Sequence, residues 1–420
     1  MNTLEPVRKR LVNALWGIFI GDALSMPVHW YYNRDNIRAD FNGGVTGYEA
    51  AKHPHPESHF AGTAYRPDVE QATKLGRPYD ILHEHVRFYD TTYSEFTIER
   101  NDRDAETGRN MPALEERYHY HHGLAAGDYS LNSDLARVLM RSVIAAGRYR
   151  PEDFIEGFIE HMTTPGRGRD PYTEYFVRCW FENYSRGLPV HACAHLQREL
   201  WLISGHGALH RPLIVGLMAP SAYQGYGLAI EHQVLTHHSE TVSSSIVMLC
   251  QLLHALVYEG ADVATAIKAT AAQIQLPEIA GEGLLERDRE AGDATKIPAD
   301  EMWAIHTRFS DAAFDLETLV KDGIEDVVVK QQLATTCHPE HGMPLMFYIA
   351  ASNGYDFEAT LLHNANAGGD NVNRALALGM VVGAACDEIP AHLKSGLNQS
   401  EQLEAEIEGF ADIALSGNAF

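Results

Sequence analysis

The chain has 420 residues, enough for a sizeable core and, by length alone, for two or three domains. Its 57 acidic residues outnumber its 33 basic ones, a formal net charge of −24. That balance excludes nucleic acid and anionic membrane as partners, because a phosphate surface calls for a basic footprint. The five cysteines are odd in number and never in a Cys-x-x-Cys spacing, which fits a reduced, cytoplasmic protein.

Near the start, Arg8, Lys9 and Arg10 precede the apolar run Leu11 to Ile20 and imitate a signal peptide. Asn13 interrupts the run and Asp22 ends it, so it reads as a core helix. No other run approaches the roughly 20 apolar residues of a membrane span. Val7, Leu11, Leu15 and Ile18 repeat at helical spacing. Gly17 and Gly21, four apart, suggest close helix packing. Pro27 stops the helix and leaves Asp22 and His29 near its end.

Residues 31–125 are polar, rich in tyrosine and histidine, and weakly periodic. The span is too long for a plain connection, so an inserted lid or subdomain is expected. The cluster His119, His121, His122 and the pair His83, His85 match no familiar metal-ligand spacing. They read first as polar surface or a substrate-facing loop. Tyr31, Tyr32, Tyr89 and Tyr93 offer rings for stacking on a planar group. A packing or oligomer-forming arm is the alternative.

From Ser130 the helical pattern returns, with Leu135, Val138, Leu139, Val143 and Ala146 on one face and Ser130 or Asn132 as the cap. Helices are expected over 151–163 and 172–187, around a loop with Arg167 and Arg169. Gly205-His206-Gly207 opens another apolar helix through Arg211 and Pro212, without a Walker or dinucleotide fingerprint. Thr236 to Glu240 caps a long helix, and 276–302 reads as an acidic loop. Helices follow around 310–320 and from Gly342 to Asn353. The fold class is all-α, helices packed around a central pair.

The stretch 364–390 carries the densest signal. Gly368 and Gly369 permit a tight turn. Asp370, Asn371 and Asn373 follow, and then a helix of small residues with Gly379 and Gly383 four apart. A capped core helix is the plain alternative to a ligand-binding turn. Four such polar turns recur at helix ends: Asp22 to His29, Ser130 to Asp134, His206 to Arg211, and Asp370 to Asn373. Together they suggest a shared cleft.

The order of these segments resembles the ADP-ribosylglycohydrolase family, which includes the J1-crystallin-like proteins. The segments are Gly17 to Pro27, Gly127 to Asp134, Gly166 to Gly168, Gly205 to Pro212, Thr236 to His238, and Asn366 to Pro390. The resemblance implies one compact all-α domain, cleavage of an N- or O-glycosidic bond to ribose, and two magnesium or manganese ions in the cleft. Departures from the family pattern are concentrated at the metal positions. Ser130-Leu131-Asn132-Ser133 stands where the family has Thr-Asp-Asp-Thr. Asp370-Asn371-Val372-Asn373 stands where it has Asp-Thr-Asp-Thr, and His29 replaces a glutamate. Of the family's ligand aspartates only Asp370 remains, too few hard carboxylates to offset about four positive charges.

The expectation is therefore no metal pair and no other cofactor, with at most a single weak ion on Asp370, Ser130 and Asn373. Asp370 and His29 are the expected catalytic residues, as carboxylate and acid–base. Asp22, Ser130, Asn132, Gly368, Gly369, Asn371, Asn373, His206 and Arg211 are expected to bind a small ribosyl or nucleotide-like substrate, with phosphate on the glycine N–H groups. A homo-oligomer is possible. A non-catalytic relative that binds a nucleotide-like ligand or a protein, or is structural, stays open beside the enzyme.

Overall fold

The computed structural model describes residues 4–58, 65–85, 114–194, 205–277 and 309–417. The principal helices are α1 (Leu4–Ser25), α2 (Arg34–Asp40), α3 (Val69–Leu75), α4 (Leu131–Ala146), α5 (Pro151–Thr163) and α6 (Tyr175–Ser185). Next come α7 (His210–Gly216), α8 (Ala222–Gln233), α9 (Glu240–His254), α10 (Val263–Ala271), the strands β1 (Gln275–Pro277) and β2 (Phe309–Ala313), and α11 (Leu316–Asp322). The chain closes with α12 (Pro339–Ser352), α13 (Phe357–Ala367), α14 (Asn371–Ala385), α15 (Ala391–Ser395) and α16 (Ser400–Ala414). The fold is all-α with one antiparallel pair of short strands among the described residues.

The centre is the pair α1 and α14. Both are apolar on nearly every side and buried over most of their length, as expected of helices surrounded by others. Glycine sets their separation. A Cβ on Gly17 would overlap the carbonyl of Gly379, and one on Gly379 would overlap that of Gly17. Gly383 faces the backbone of Asn13 in the same way. Each glycine costs about 1 kcal/mol of helix propensity. The return is backbone-to-backbone contact, with dense dispersion along the crossing.

Two expectations need correction. The stretch 310–320 begins as β2 and becomes helical only at Leu316, because Asp315 caps α11 by accepting from the Thr318 N–H. Glu240–Glu259 is also long and apolar enough to cross a membrane by length and composition, with 56% of its most apolar window buried here. The stretch Leu4–Val28 passes the same test, and its most apolar window is wholly buried.

The described part of the histidine-rich segment is tied to the core. Asn366 on α13 clamps Val45 by two hydrogen bonds of 2.8 Å, one to its N–H and one to its carbonyl. Glu57 accepts from the N–H groups of Tyr32 and Asn33. His55, His119 and His121 are fully buried, not the polar surface their sequence context suggested. Tyr89, Tyr93 and nearly all of the acidic stretch 276–302 lie outside the described residues.

Candidate active site

The four polar turns meet at the N-terminal end of α14. The turn before it is fixed from within. Gly368 and Gly369 both take positive φ, 71° and 65°, which a side chain would resist. The Gly369 N–H donates to the Tyr31 carbonyl at 2.7 Å, and the Trp30 N–H donates back to the Gly369 carbonyl at 2.8 Å. Arg374, buried, donates to the Gly368 carbonyl at 2.9 Å and to Asn364 Oδ1 at 2.7 Å. These contacts aim Asp370 inward. Although Asp370 precedes α14, its side chain makes no capping hydrogen bond.

Asp370 instead ends a buried chain of hydrogen bonds. Its Oδ1 accepts from His29 Nε2 at 2.9 Å and from Asn373 Nδ2 at 3.0 Å. His29 Nδ1 lies 2.7 Å from His121 Nε2, and His121 Nδ1 reaches Asp170 at 2.9 Å. Asp170 also accepts the backbone N–H groups of Leu131 and Tyr172. His119 and His55 hydrogen-bond to the carbonyls of Pro27 and His29 respectively, and so brace the turn that carries His29. All four members of the chain are at most 6% exposed.

Proton accounting follows from this geometry. Each terminal carboxylate calls for an N–H from the ring that faces it. The central contact between two ring nitrogens then requires one more proton, so the imidazole pair carries one positive charge. The electrostatic surroundings agree. Burial disfavours a charge on His121, but the carboxylate and hydrogen bond of Asp170 outweigh it and raise its pKa. Burial dominates at His29 and lowers it to about 4, against the hydrogen bond to Asp370. Asp370 is held well below the usual carboxylate range: burial opposes this, and the contacts from His206 and His29 overcome it.

On its other side Asp370 is less satisfied. His206 Nδ1 approaches Oδ2 to 3.5 Å without hydrogen-bond geometry, and both Oδ2 and the His206 ring nitrogens lack a partner. Buried polar atoms of this kind call for a water or a ligand group. An amide bridge leads outward: Asn132 Nδ2 donates to Asn373 Oδ1 at 2.6 Å and to Glu174 Oε1 at 3.1 Å. Gly207 packs against this bridge, where a Cβ would stand 3.2 Å from both amides. Glu174 is only partly buried, as are Tyr32 and Cys337, and all three lie within electrostatic reach of Asp370. They mark the solvent side of a buried floor.

Several expected substrate groups are already engaged. The Gly368 N–H donates to Ala365 and the Gly369 N–H to Tyr31, which corrects the expectation that these groups hold phosphate. Asp22 is buried and accepts from the Ser130 N–H and from the hydroxyls of Ser130 and Ser133, at 2.5 to 3.0 Å. Asn371 donates to the carbonyls of Val28 and Ala365. Asp22 and Ser130 therefore build the site's walls and do not open to a substrate, while Asn371 keeps a buried Oδ1 without a partner. Arg211 is buried against Phe154 and Phe176, donates to Thr236 Oγ1, and has two nitrogens without partners. Burial lowers its pKa to about 10, with Glu174 opposing. His121, Asp170 and Glu174 were missed as site residues. The available signal for Glu174 was an unsuited N-cap: Glu is a poor cap, and here its side chain makes no capping bond and reaches Asn132 instead.

The two divalent ions of the family that the sequence resembles find no matching donor set. Leu131 and Val372 are buried, and Val372 packs with Met26 and Leu124. Asn132 turns its NH₂ group, a donor, into the bridge, and its buried Oδ1, without a partner, is a single neutral oxygen where the family has a carboxylate. The single-ion grouping of Asp370, Ser130 and Asn373 is not assembled either, since the Ser130 hydroxyl is committed to Asp22 and the Asn373 oxygen to Asn132. Among the described residues no cluster of three or more His, Cys, Asp or Glu is arranged to hold a metal ion.

No curated protein matches the chain. A solved structure described as an "ADP-ribosylglycohydrolase-related protein complex" is similar over 98% of this chain and 100% of its own, with 16% identity and a TM-score of 0.51, a likeness of fold. Residues 3–418 match the family model described as ADP-ribosylglycohydrolase, and the chain belongs to the ADP-ribosylglycohydrolase family.

Proposed function

We propose that the protein hydrolyses the N- or O-glycosidic bond of an ADP-ribosyl or nucleoside-like substrate, and does so without the family's metal pair. The observation that carries this reading is Asp370: a buried carboxylate kept ionised by N–H donors, with Oδ2 left without a partner. Cleavage passes through an oxocarbenium-like state, and a fixed negative charge beside the ribose stabilises it. His29 has both ring nitrogens engaged, so we assign it the positioning of Asp370 instead of the acid–base role read from sequence. His206 and the Asn132–Asn373 bridge supply polar groups for ribose hydroxyls or water. The five cysteines are free thiols, which supports a reduced compartment such as the cytoplasm.

The complete burial of Asp370 and His29 favours a second reading, a non-catalytic relative that binds a nucleotide-like ligand. A thermal-shift screen with ADP-ribose, nucleosides and divalent ions, paired with elemental analysis of the purified protein, tests both. The metal-free hydrolase predicts stabilisation by ribosyl compounds, their slow turnover, and no stoichiometric magnesium or manganese. Stabilisation without any turnover supports the binding reading. Two tightly held ions per chain overturn the metal-free reading.

A further inference from the structure

We propose that Glu174 is the acid that protonates the leaving group, across the Asn132–Asn373 amide bridge from Asp370. The inference rests on the hydrolase reading above. The two carboxyl groups share one bridge: Asn373 donates to Asp370 at 3.0 Å, and Asn132 donates both to Asn373 and to Glu174. Their surroundings differ in the sense a glycosidase requires. Asp370 is fully buried and receives two N–H donors. Glu174 is partly exposed, receives a shared amide N–H, and has no cation within ion-pair distance among the described residues. Its placement at the start of α6, without a capping bond, leaves the side chain free for this use.

The groups that face Glu174 define its protonation. Burial and the charge of Asp370 favour the neutral acid, raising its pKa to about 7, with Asp170 acting in the same direction and His121 against it. Arg211 and the Cys337 thiol also face it, from α7 and from the turn before α12. In the reaction, the bond between C1′ and the leaving nitrogen or oxygen breaks. Its electron pair goes to that atom, which takes the Glu174 proton. Water adds to C1′ and loses one proton, which restores Glu174 directly or by way of solvent.

The test compares wild type with Glu174→Gln on a nucleoside or ADP-ribosyl substrate and on 4-nitrophenyl riboside, whose leaving group departs without protonation. Glu174→Gln should lose roughly 100-fold or more in turnover of the first and less than about 10-fold of the second, and lose the alkaline limb of the pH profile. Equal losses on both substrates, or no loss on either, overturn the assignment. An infrared difference between the two proteins at pH 6 gives a readout independent of activity: a protonated-carboxyl band present only in wild type supports the acid, and its absence overturns it. A wild type that shows this band but cleaves neither substrate refutes the hydrolase reading, and the catalytic assignment with it.

Discussion

His121 and His29 face each other through ring nitrogens 2.7 Å apart, each with its other nitrogen on a carboxylate. Two neutral rings in this arrangement would oppose lone pairs, so one proton is trapped between them. The extra proton is held mainly by the Asp170 end of the chain. We expect a strongly deshielded imidazole proton in the NMR spectrum that persists above neutral pH. Asp170→Asn should abolish it and cost about 3 kcal/mol, the usual consequence of removing one partner from a buried charged pair. Survival of the signal in that variant would contradict the proton accounting.

The α1–α14 crossing makes a prediction about stability alone. Gly379→Ala gains about 1 kcal/mol of helix propensity but drives a methyl into the Gly17 carbonyl. Overpacking of this kind typically costs 1–3 kcal/mol, and more where backbone must move. The net should be destabilising by about 2 kcal/mol or more, read as a lower midpoint in denaturant. A neutral or stabilised variant would show that the two helices leave room for a methyl at Gly379 and contradict the backbone contact with Gly17.

Much of this was legible from residues. Gly17, Gly21, Gly379 and Gly383 announced a close-packed central pair, and the four polar turns announced a meeting point. Sequence spacing could not show what each turn spends its hydrogen bonds on. The Gly368 and Gly369 N–H groups looked available because no local partner was evident; their acceptors are Ala365, nearby, and Tyr31, more than 300 positions away in sequence. His121 and Asp170 were hidden for the same reason. They lie 92 and 141 positions from His29, in a polar segment and a loop, and acquire meaning only once the chain has folded.

Glu174 gives a pH signature. Its pKa is raised from an ordinary 4.5 to about 7 by burial, with Asp370 second. The folded protein therefore binds more protons than the unfolded chain between these values, and the stabilisation present below pH 4.5 is lost as pH rises through 7. Across that window wild type should lose stability relative to Glu174→Gln by an amount on the order of 3 kcal/mol. Burial lowers His29 to about 4, and that residue acts in the opposite sense, losing stability as pH falls from 6.5. The comparison with Glu174→Gln cancels it. Parallel stability–pH curves for the two proteins would contradict the raised pKa.

The central claim is that Asp370 supports glycosidic cleavage with no metal pair. Its most direct test is the turnover of ADP-ribosyl and nucleoside substrates in excess chelator, for wild type and Asp370→Ala. The account predicts that wild-type turnover persists in chelator and falls roughly 100-fold or more in the variant. Turnover that chelator abolishes and magnesium or manganese restores would contradict it.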